Sequence, residues 1–528
     1  MNKKNQIWLP LLFSIAVIAG MLIGYRMRDN QPGKKFFSFD KPTALQEVMN
    51  LIQNKYVDDV KISALGDSAI IAVLNKLDPH SVFIPGEELQ GVNEDIAGNF
   101  FGIGIEFNIF NDTLHVLNVI PDGPSFKAGI AIGDKFIQVN DSMIAGKKIT
   151  SERVRKLLRG DLGTQAVVTL LRKGKLVKVS IVRSIIPISS VDASYIIGNG
   201  IGYIKLNKFS QVTYHEFMKA LESLQKQGLK KLILDLRGNG GGVLDEATAI
   251  ADEFLSGDKL ITYTEGKHIQ KKEYRCQREG LFENGALVIL ADEGSASASE
   301  VLMGALQDWD RAIIIGRRSF GKGLVQEQYD LSDGSALRLT VARYYTPIGR
   351  SIQRSYTNGE KAYFDEINKR FHDGEVSNAD SLKNDSTQLF TTKKGKKVFG
   401  GGGITPDIFI ALDTALFSAN LSEIYLKGII GDFTYHFYLQ NQSRLSSLTG
   451  IADFGSNFSL TEEDWKQFQQ LAKKDSIELS SINPSDKKEL ITQIKSSLAR
   501  QIWHNQGFYE MMNKEDRSVL KAIEVLSK

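Results

Sequence analysis

Residues Leu287 to Gln326 narrow what this chain can fold into more than any other stretch. An apolar strand, LVILAD (Leu287 to Asp292), breaks into a run of small residues, GSASASE (Gly294 to Glu300). An apolar-periodic helix, VLMGALQDW, follows, then a second strand, RAIIIG (Arg311 to Gly316), and the turn SFGKG (Ser319 to Gly323). A strand that turns sharply into a helix exposes small side chains at the helix N-terminus. Backbone N–H groups are free there and the dipole end is positive. This is a setting for a presented hydroxyl, and a lysine between two glycines at the end of the next strand can return to it. The pattern points to a serine nucleophile with a lysine base.

Serine hydroxyls are poor nucleophiles without a base. Seven histidines are scattered along the chain, none in the small-residue turns, which leaves Lys322 as the candidate. A free lysine titrates near 10.4, so neutrality at pH 7 requires a fall of about 3 pH units, roughly 4 kcal/mol of disfavoured charge. Burial supplies shifts of that size. On spacing alone Ser295, Ser297 and Ser299 are not distinguished.

Around this stretch, strands and helices alternate from Val191: IGYIKLN, YHEFMKALESLQKQG, LKKLILDLRGNGGG, DEATAIADEFL, and later SALRLTVARYYTP and GGGGITPDI (Gly400 to Ile408). Such alternation predicts an α/β core. Upstream, Phe100 to about Arg183 reads as a compact β-rich unit. It has a short helix near Ser125, a second helix from Ser151 to about Arg159 capped by Thr150, and a hairpin over AVVTLLR and LVKVSIV. Strands closed around one exposed helix leave a groove for an added peptide strand. The unit resembles PDZ domains. GIGI (Gly102, Ile103, Gly104, Ile105) matches their loop that cradles a peptide's terminal carboxylate, and the strand order with PDGPSFKAGIAIGD (Pro121 to Asp134) strengthens the resemblance.

Pro42 to Asp95 is expected to be mostly helical, with His80 in a turn and in a structural role. Tyr356 to Lys397 is polar and is expected to be an exposed excursion, and 411–528 is expected to be a helical extension without a catalytic pattern. Ile7 to Tyr25 are 19 residues without a charge. They make about 28 Å of helix, against a bilayer core of about 30 Å. An uncleaved signal anchor is expected over a removed signal peptide. Lys3 and Lys4 before it compete with Arg26 and Arg28 after it, so charge does not set its orientation. The fold class is accordingly multidomain α+β and α/β. A cytoplasmic tail at 1–6 precedes a membrane helix at 7–25 and a helical region at 40–97. A PDZ-like β-barrel domain at 98–184, an α/β protease core at 185–410 and a helical C-terminal extension at 411–528 complete it.

At 528 residues the chain is too long for one core, and a net charge of +3 gives no case for a nucleic-acid partner. The one cysteine, Cys276, excludes an intrachain disulfide and a multi-cysteine metal site.

Taken together, GSASASE, DLRGNGGG (Asp235 to Gly242), SFGKG and the PDZ-like unit resemble the C-terminal processing (tail-specific) peptidase family, over about Pro42 to Ile410. The resemblance implies Ser297 as nucleophile, Lys322 as general base and Gln326, four residues on, as the group orienting that lysine. It implies an oxyanion hole from Gly241 or Gly242 and the N–H of Ala298. It also implies a serine-type endopeptidase that needs no metal or organic cofactor and takes protein substrates with apolar C-terminal tails. The membrane is engaged through 7–25, and a homo-oligomer or an adaptor protein is admitted as a further partnership. A bacterial inner-membrane location is implied, single-pass, with the bulk in the periplasm or outside the cell. The long extension past Ile410 has no counterpart in the resemblance.

Two rivals differ in class. A non-catalytic PDZ scaffold on a membrane anchor would need no lysine at 322. A nucleotide-binding P-loop fits the Gly, four residues, Gly-Lys spacing of GRRSFGKG, but Gly323 stands where magnesium needs a Ser or Thr hydroxyl.

Overall fold

The computed structural model describes residues 13–21, 43–382, 388–412 and 418–528. Of the uncharged segment 7–25, only 13–21 is described, as a helix; the remainder of the expected membrane span lies outside the described residues. Among the described residues, no helix is long and apolar enough to cross a membrane. In the N-terminal unit, the helix Ala44–Lys55 starts at Thr43, whose side chain and that of Gln46 cap each other's backbone N–H.

The β-rich unit is a six-strand antiparallel sheet whose main path runs in sequential order, β1 (Ile105–Phe110), β2 (Thr113–Val119), β3 (Lys135–Val139), β4 (Gln165–Arg172) and β5 (Lys175–Val182), with the short strand Ser142–Met143 paired to β3 off that path. The turn between β4 and β5 is Lys173-Gly174 with φ of +46° and +78°. Paired positive φ values match the right-handed twist of the flanking strands. Helix α1 (Ser151–Leu158) starts at Thr150, whose hydroxyl accepts from the Arg153 N–H at 3.2 Å. Its Val154 and Leu158, one turn apart, enter a core with Leu114, Phe136 and Val168. β1 is the terminal strand of the sheet, so one edge remains open beside α1.

The α/β core holds six strands, again in chain order: β6 (Val191–Gly198), β7 (Ile201–Leu206), β8 (Lys231–Asp235), β9 (Ala286–Ala291), β10 (Ile313–Gly316) and β11 (Ile408–Phe409). β6 is antiparallel to β7; all later pairs are parallel. Side chains alternate between two buried faces, which is why these strands read as continuous apolar runs. Ile204, Leu234, Ile289 and Ile314 face helices α2 (Thr213–Lys226), α3 (Leu244–Asp252) and α4 (Ala298–Asp308). Tyr203, Ile233, Val288, Leu290 and Ile315 face the other way and meet Val519, Ala522 and Leu526. A second sheet is built on the strand Ala336–Tyr345, which pairs with Val82–Ile84, Leu260–Glu265 and Leu324–Asp330.

The segment 411–528 is helical where described and has its own core around Phe433, Phe454, Phe468, Leu490 and Leu498. Its long helix α5 (Pro484–Met512) kinks at Trp503 and His504, the latter with φ +56°. At the kink, Arg500 pairs with Glu106 at 3.3 Å, Gln501 donates to the Leu117 carbonyl, and His504 meets Asn118 at 2.8 Å. Beyond it, Asn505 donates to Asp192 at 2.7 Å and Asn513 to the Tyr195 hydroxyl at 2.8 Å. Helix α6 (Arg517–Ser527) then covers the second face of the core sheet. The last helix is therefore a layer of the α/β core.

Tyr356 to Lys397 is exposed over much of its described length, as expected, but it also carries a helix with buried side chains. Its helix Glu360–His372 buries Tyr363 and Arg370. Two of its glutamates are ion-paired to arginines that precede the stretch: Glu366 to Arg354 at 2.6 Å and Glu375 to Arg318 at 2.7 Å. Residues 383–387 of that stretch lie outside the described residues.

Candidate active site

The parallel strands β8, β9 and β10 end at the same side of the sheet, and three turns emerge from them: Leu236 to Val243, Asp292 to Ser297, and Arg317 to Gly323. Loops at the carboxyl ends of such strands are where open α/β sheets place their sites. Here they meet in a cleft of about 470 Å³. Ser297, Lys322, Gln326, Gly241, Gly242 and Ala298, all six residues expected at the site, line it.

The serine run separates once folded. Ser295 is fully buried and its hydroxyl donates to the Leu236 carbonyl at 2.8 Å; Ser299 is fully buried and donates to the Asn239 carbonyl at 2.9 Å. Ser297 is half-buried and lines the cleft. Its φ of +55° with ψ of −115° is rare for a residue with a Cβ. The neighbouring turn presses against it. A Cβ on Gly241 would stand 2.7 Å from the Ser297 Cβ and 2.8 Å from the Ala298 nitrogen, and one on Gly242 would stand 1.9 Å from the Phe209 carbonyl oxygen. Only glycine permits that approach. The two glycines differ in their free groups. The Gly241 N–H donates to Asn239 Oδ1 at 2.9 Å. For the Gly242 N–H no acceptor is found among the described residues. Ala298 is the first residue of α4, where N–H groups lack helical partners.

Lys322 reaches the cleft from the SFGKG turn. Its ammonium is driven below the ordinary lysine value first by burial and then by Arg338; Glu300 and Asp78 act in the opposite direction. Gln326 lies on the strand Leu324–Asp330. Its amide contacts Thr340 Oγ1 at 3.4 Å rather than the lysine it is expected to orient, and Thr340 in turn donates to Asp78 at 3.0 Å. His80 is held by the Tyr363 hydroxyl at 2.9 Å and packs edge-on against Phe320 and Tyr363, as a structural residue does. Burial, then Lys322, drives its pKa down to about 4 despite Asp78. A strand, not a helix, follows Gly323, which removes the P-loop reading.

Four contributors were not singled out from the sequence. Glu300, wholly buried, accepts hydrogen bonds from both the serine run and the lysine turn. Its signal is Ser-x-x-Glu, the capping-box spacing at a helix start. Asn239 ties the glycine turn to the serine run: its carbonyl takes the Ala296 N–H at 3.0 Å and its amide donates to the Leu206 carbonyl at 3.1 Å. The buried Tyr344 hydroxyl stands 3.1 Å from the Ser297 carbonyl and 2.5 Å from that of Lys322. Arg338 lines the cleft on the lysine side. For Tyr344 and Arg338, whose strand is remote in sequence, no local signal exists.

A separate groove of about 290 Å³ runs between β1 and α1, lined by Gly102, Ile103, Gly104 and Ile105 together with Phe107 and Leu158. The carbonyls of Ile103 and Gly104 are taken by the N–H groups of Ser125 and Ile120. Its walls are largely apolar, with Glu106, Ser151, Arg155 and Arg159 as the polar lining residues. A larger cleft of about 570 Å³ between the core and α5 is lined by charges that already have partners: Lys205 and Arg237 pair with Asp235 and Arg237 with Asp516 within the lining, and Arg317 pairs with Glu293 behind it.

Residues 200–359 match the family model for peptidase family S41, and residues 102–182 that for the PDZ domain. Residues 420–504 match a family of unknown function (DUF8443). The carboxy-terminal-processing protease of Bartonella bacilliformis is 36% identical over 313 residues, which cover 58% of this chain and 71% of that one. A probable CtpA-like serine protease of Staphylococcus saprophyticus is 31% identical over 363 residues, 68% of this chain and 73% of that one. Among solved structures, a photosystem II D1 C-terminal processing protease aligns with 27% identity and a TM-score of 0.36, over 69% of this chain and 86% of that one. By these matches the chain belongs to peptidase family S41 and is a carboxy-terminal-processing serine protease that carries a PDZ domain.

Proposed function

We propose that the cleft hydrolyses peptide bonds through a dyad of Ser297 and Lys322. The observation that carries this reading is the sorting of the serines: of three, only Ser297 faces the cleft, opposite a lysine whose charge is disfavoured by burial. Ser297 Oγ attacks the scissile carbonyl carbon while neutral Lys322 takes its proton. The N–H groups of Ala298 and Gly242 receive the developing oxyanion; removing one such donor costs about 10² to 10³ in rate. The tetrahedral adduct collapses, Lys322 returns the proton to the leaving amine, and an ester to Ser297 remains. Water then attacks that ester with Lys322 again as base, releasing the acid. Gln326 stands in the cleft wall, where turning its amide away from Thr340 offers Lys322 an acceptor.

The PDZ groove receives the tail of the substrate. Its apolar walls suit an apolar last residue, and the open edge of β1 can pair with an extended segment. We further infer that segment 7–25 anchors the chain in a membrane with its bulk outside the cytoplasm. The length of that uncharged run supports an anchor. Extraction at alkaline pH and protease access to intact cells test the anchor and the side.

Cleavage of an unfolded protein with an apolar tail, compared among wild type, Ser297→Ala, Lys322→Ala and Ser299→Ala, tests the dyad. Loss in the first two with retention in Ser299→Ala is expected. Retained cleavage by Ser297→Ala or Lys322→Ala would place the chemistry elsewhere.

A further inference from the structure

Glu300 is a fully buried carboxylate in the first turn of α4, three residues after Ser297. Its Oε2 accepts from the backbone N–H of Ser297 at 2.9 Å and from that of Lys322 at 2.8 Å. Its Oε1 accepts from the Gly321 N–H at 2.7 Å and from Ser319 Oγ at 2.5 Å. The Ser319 hydroxyl oxygen itself takes the Ile404 N–H at 2.6 Å, so its proton points to Glu300. All four partners are donors and none accepts, which is the hydrogen-bond pattern of an ionised carboxylate. The N-terminus of α4 supplies favourable dipole as well.

Building on the Ser297–Lys322 reading above, we propose that Glu300 is a positioning residue: one buried carboxylate that fixes the two halves of the dyad relative to each other. Its Oε2 alone ties the peptide N–H of the nucleophile to that of the base, while Oε1 holds the lysine turn through Gly321 and Ser319. This locks Ser297 in its strained positive-φ conformation and aims the SFGKG turn into the cleft. The carboxylate also places a negative charge near Lys322, opposing the effect of burial on the amine. Glu300 touches no substrate; it acts through the residues that do.

The test uses the full chain in detergent, an unfolded substrate with an apolar tail, and kcat and KM across pH for Glu300→Gln and Glu300→Asp. Glu300→Gln keeps the shape but removes the charge and turns one acceptor into a donor facing two N–H groups. Its kcat is expected to fall about 10² to 10³-fold, the size of a lost preorganised contact. KM should change less than about threefold, because the PDZ groove that binds the tail is untouched. The acid limb of kcat should move to lower pH, because a negative charge near the base has gone. Glu300→Asp should keep the limb where wild type has it and recover part of kcat. Lys322→Ala in the same assay separates the two claims: activity there defeats the dyad whatever Glu300 does. With the dyad intact, the proposal is overturned if Glu300→Gln has kcat within about threefold of wild type. It is equally overturned if both variants lose activity alike with no movement of the limb, the outcome of a structural role. Should circular dichroism show Glu300→Gln unfolded, Ser319→Ala removes one of the four bonds. An intermediate fall in kcat with unchanged tail binding is then expected, and wild-type kcat overturns the proposal.

Discussion

Three serines that are equivalent in sequence occupy three different environments. Ser295 and Ser299 give their hydroxyls to buried carbonyls, so Ser295→Ala and Ser299→Ala should each cost about 1 to 3 kcal/mol of stability. Both should keep the chemistry, which urea unfolding and a cleavage assay on the folded variants will separate. Lys322 carries a second residue-scale prediction. Its pKa in the fold lies below that of the unfolded chain, so between the two values the unfolded state binds more protons and stability rises with pH. The cost of burying the ammonium is thus complete below the folded pKa and vanishes above the unfolded one, near 10.5. Lys322→Met should be inactive yet more heat-stable than wild type at pH 7, with the advantage shrinking as pH approaches 10. An advantage independent of pH would show that the lysine is not held with its charge disfavoured.

At the scale of elements, the contact between the PDZ unit and the C-terminal helices contributes to the acid side of the stability curve, as His80 does at the active site. His115 on β2 is buried against Phe110 and Tyr435, and burial, with Lys135 and His436 facing it, drives its pKa down to about 4. A lowered histidine binds fewer protons folded than unfolded between 6.5 and about 4, so its contribution is lost as pH falls through that window. Melting temperatures from pH 7 to 4.5 should fall less for His115→Phe than for wild type; parallel curves would contradict this. Such contacts were not legible in the sequence, because nothing local pairs His115 with Tyr435, 320 positions later. What was legible is local in origin: the strand–turn–helix around Ser297, the Lys-Gly hairpin, the Thr150 cap. In the polar stretch after Tyr356 the buried side of its helix was not legible, because composition does not distinguish glutamates paired to arginines from glutamates in water.

On the scale of the whole molecule, the chain's end completes its middle. Leu526 on α6 is 5% exposed against Ile233 and Val288 of the core sheet. Leu526→Ala should cost about 3 kcal/mol, measured by denaturant unfolding, a figure usual for a core leucine. A cost near zero would mean that the sheet face tolerates solvent and that α6 is dispensable. An α/β core was readable from alternating strands and helices. That its second face is covered by residues 517–527 was not, since a helix with an apolar stripe does not name the surface it covers. A serine of the 294–300 run and Lys322 were suggested by local pattern, whereas the choice of Ser297 and the role given to Gln326 rested on resemblance to other chains; the contacts of Glu300, Asn239 and Tyr344 come from the fold.

Acid quench of the enzyme during turnover of a peptide ester with an apolar tail, followed by peptide mapping, is the decisive test of the Ser297–Lys322 dyad. The account predicts an acyl group on Ser297 alone, absent in Lys322→Ala. An acyl group on Ser295, Ser299 or Cys276, or an equal yield on Ser297 without Lys322, would contradict it.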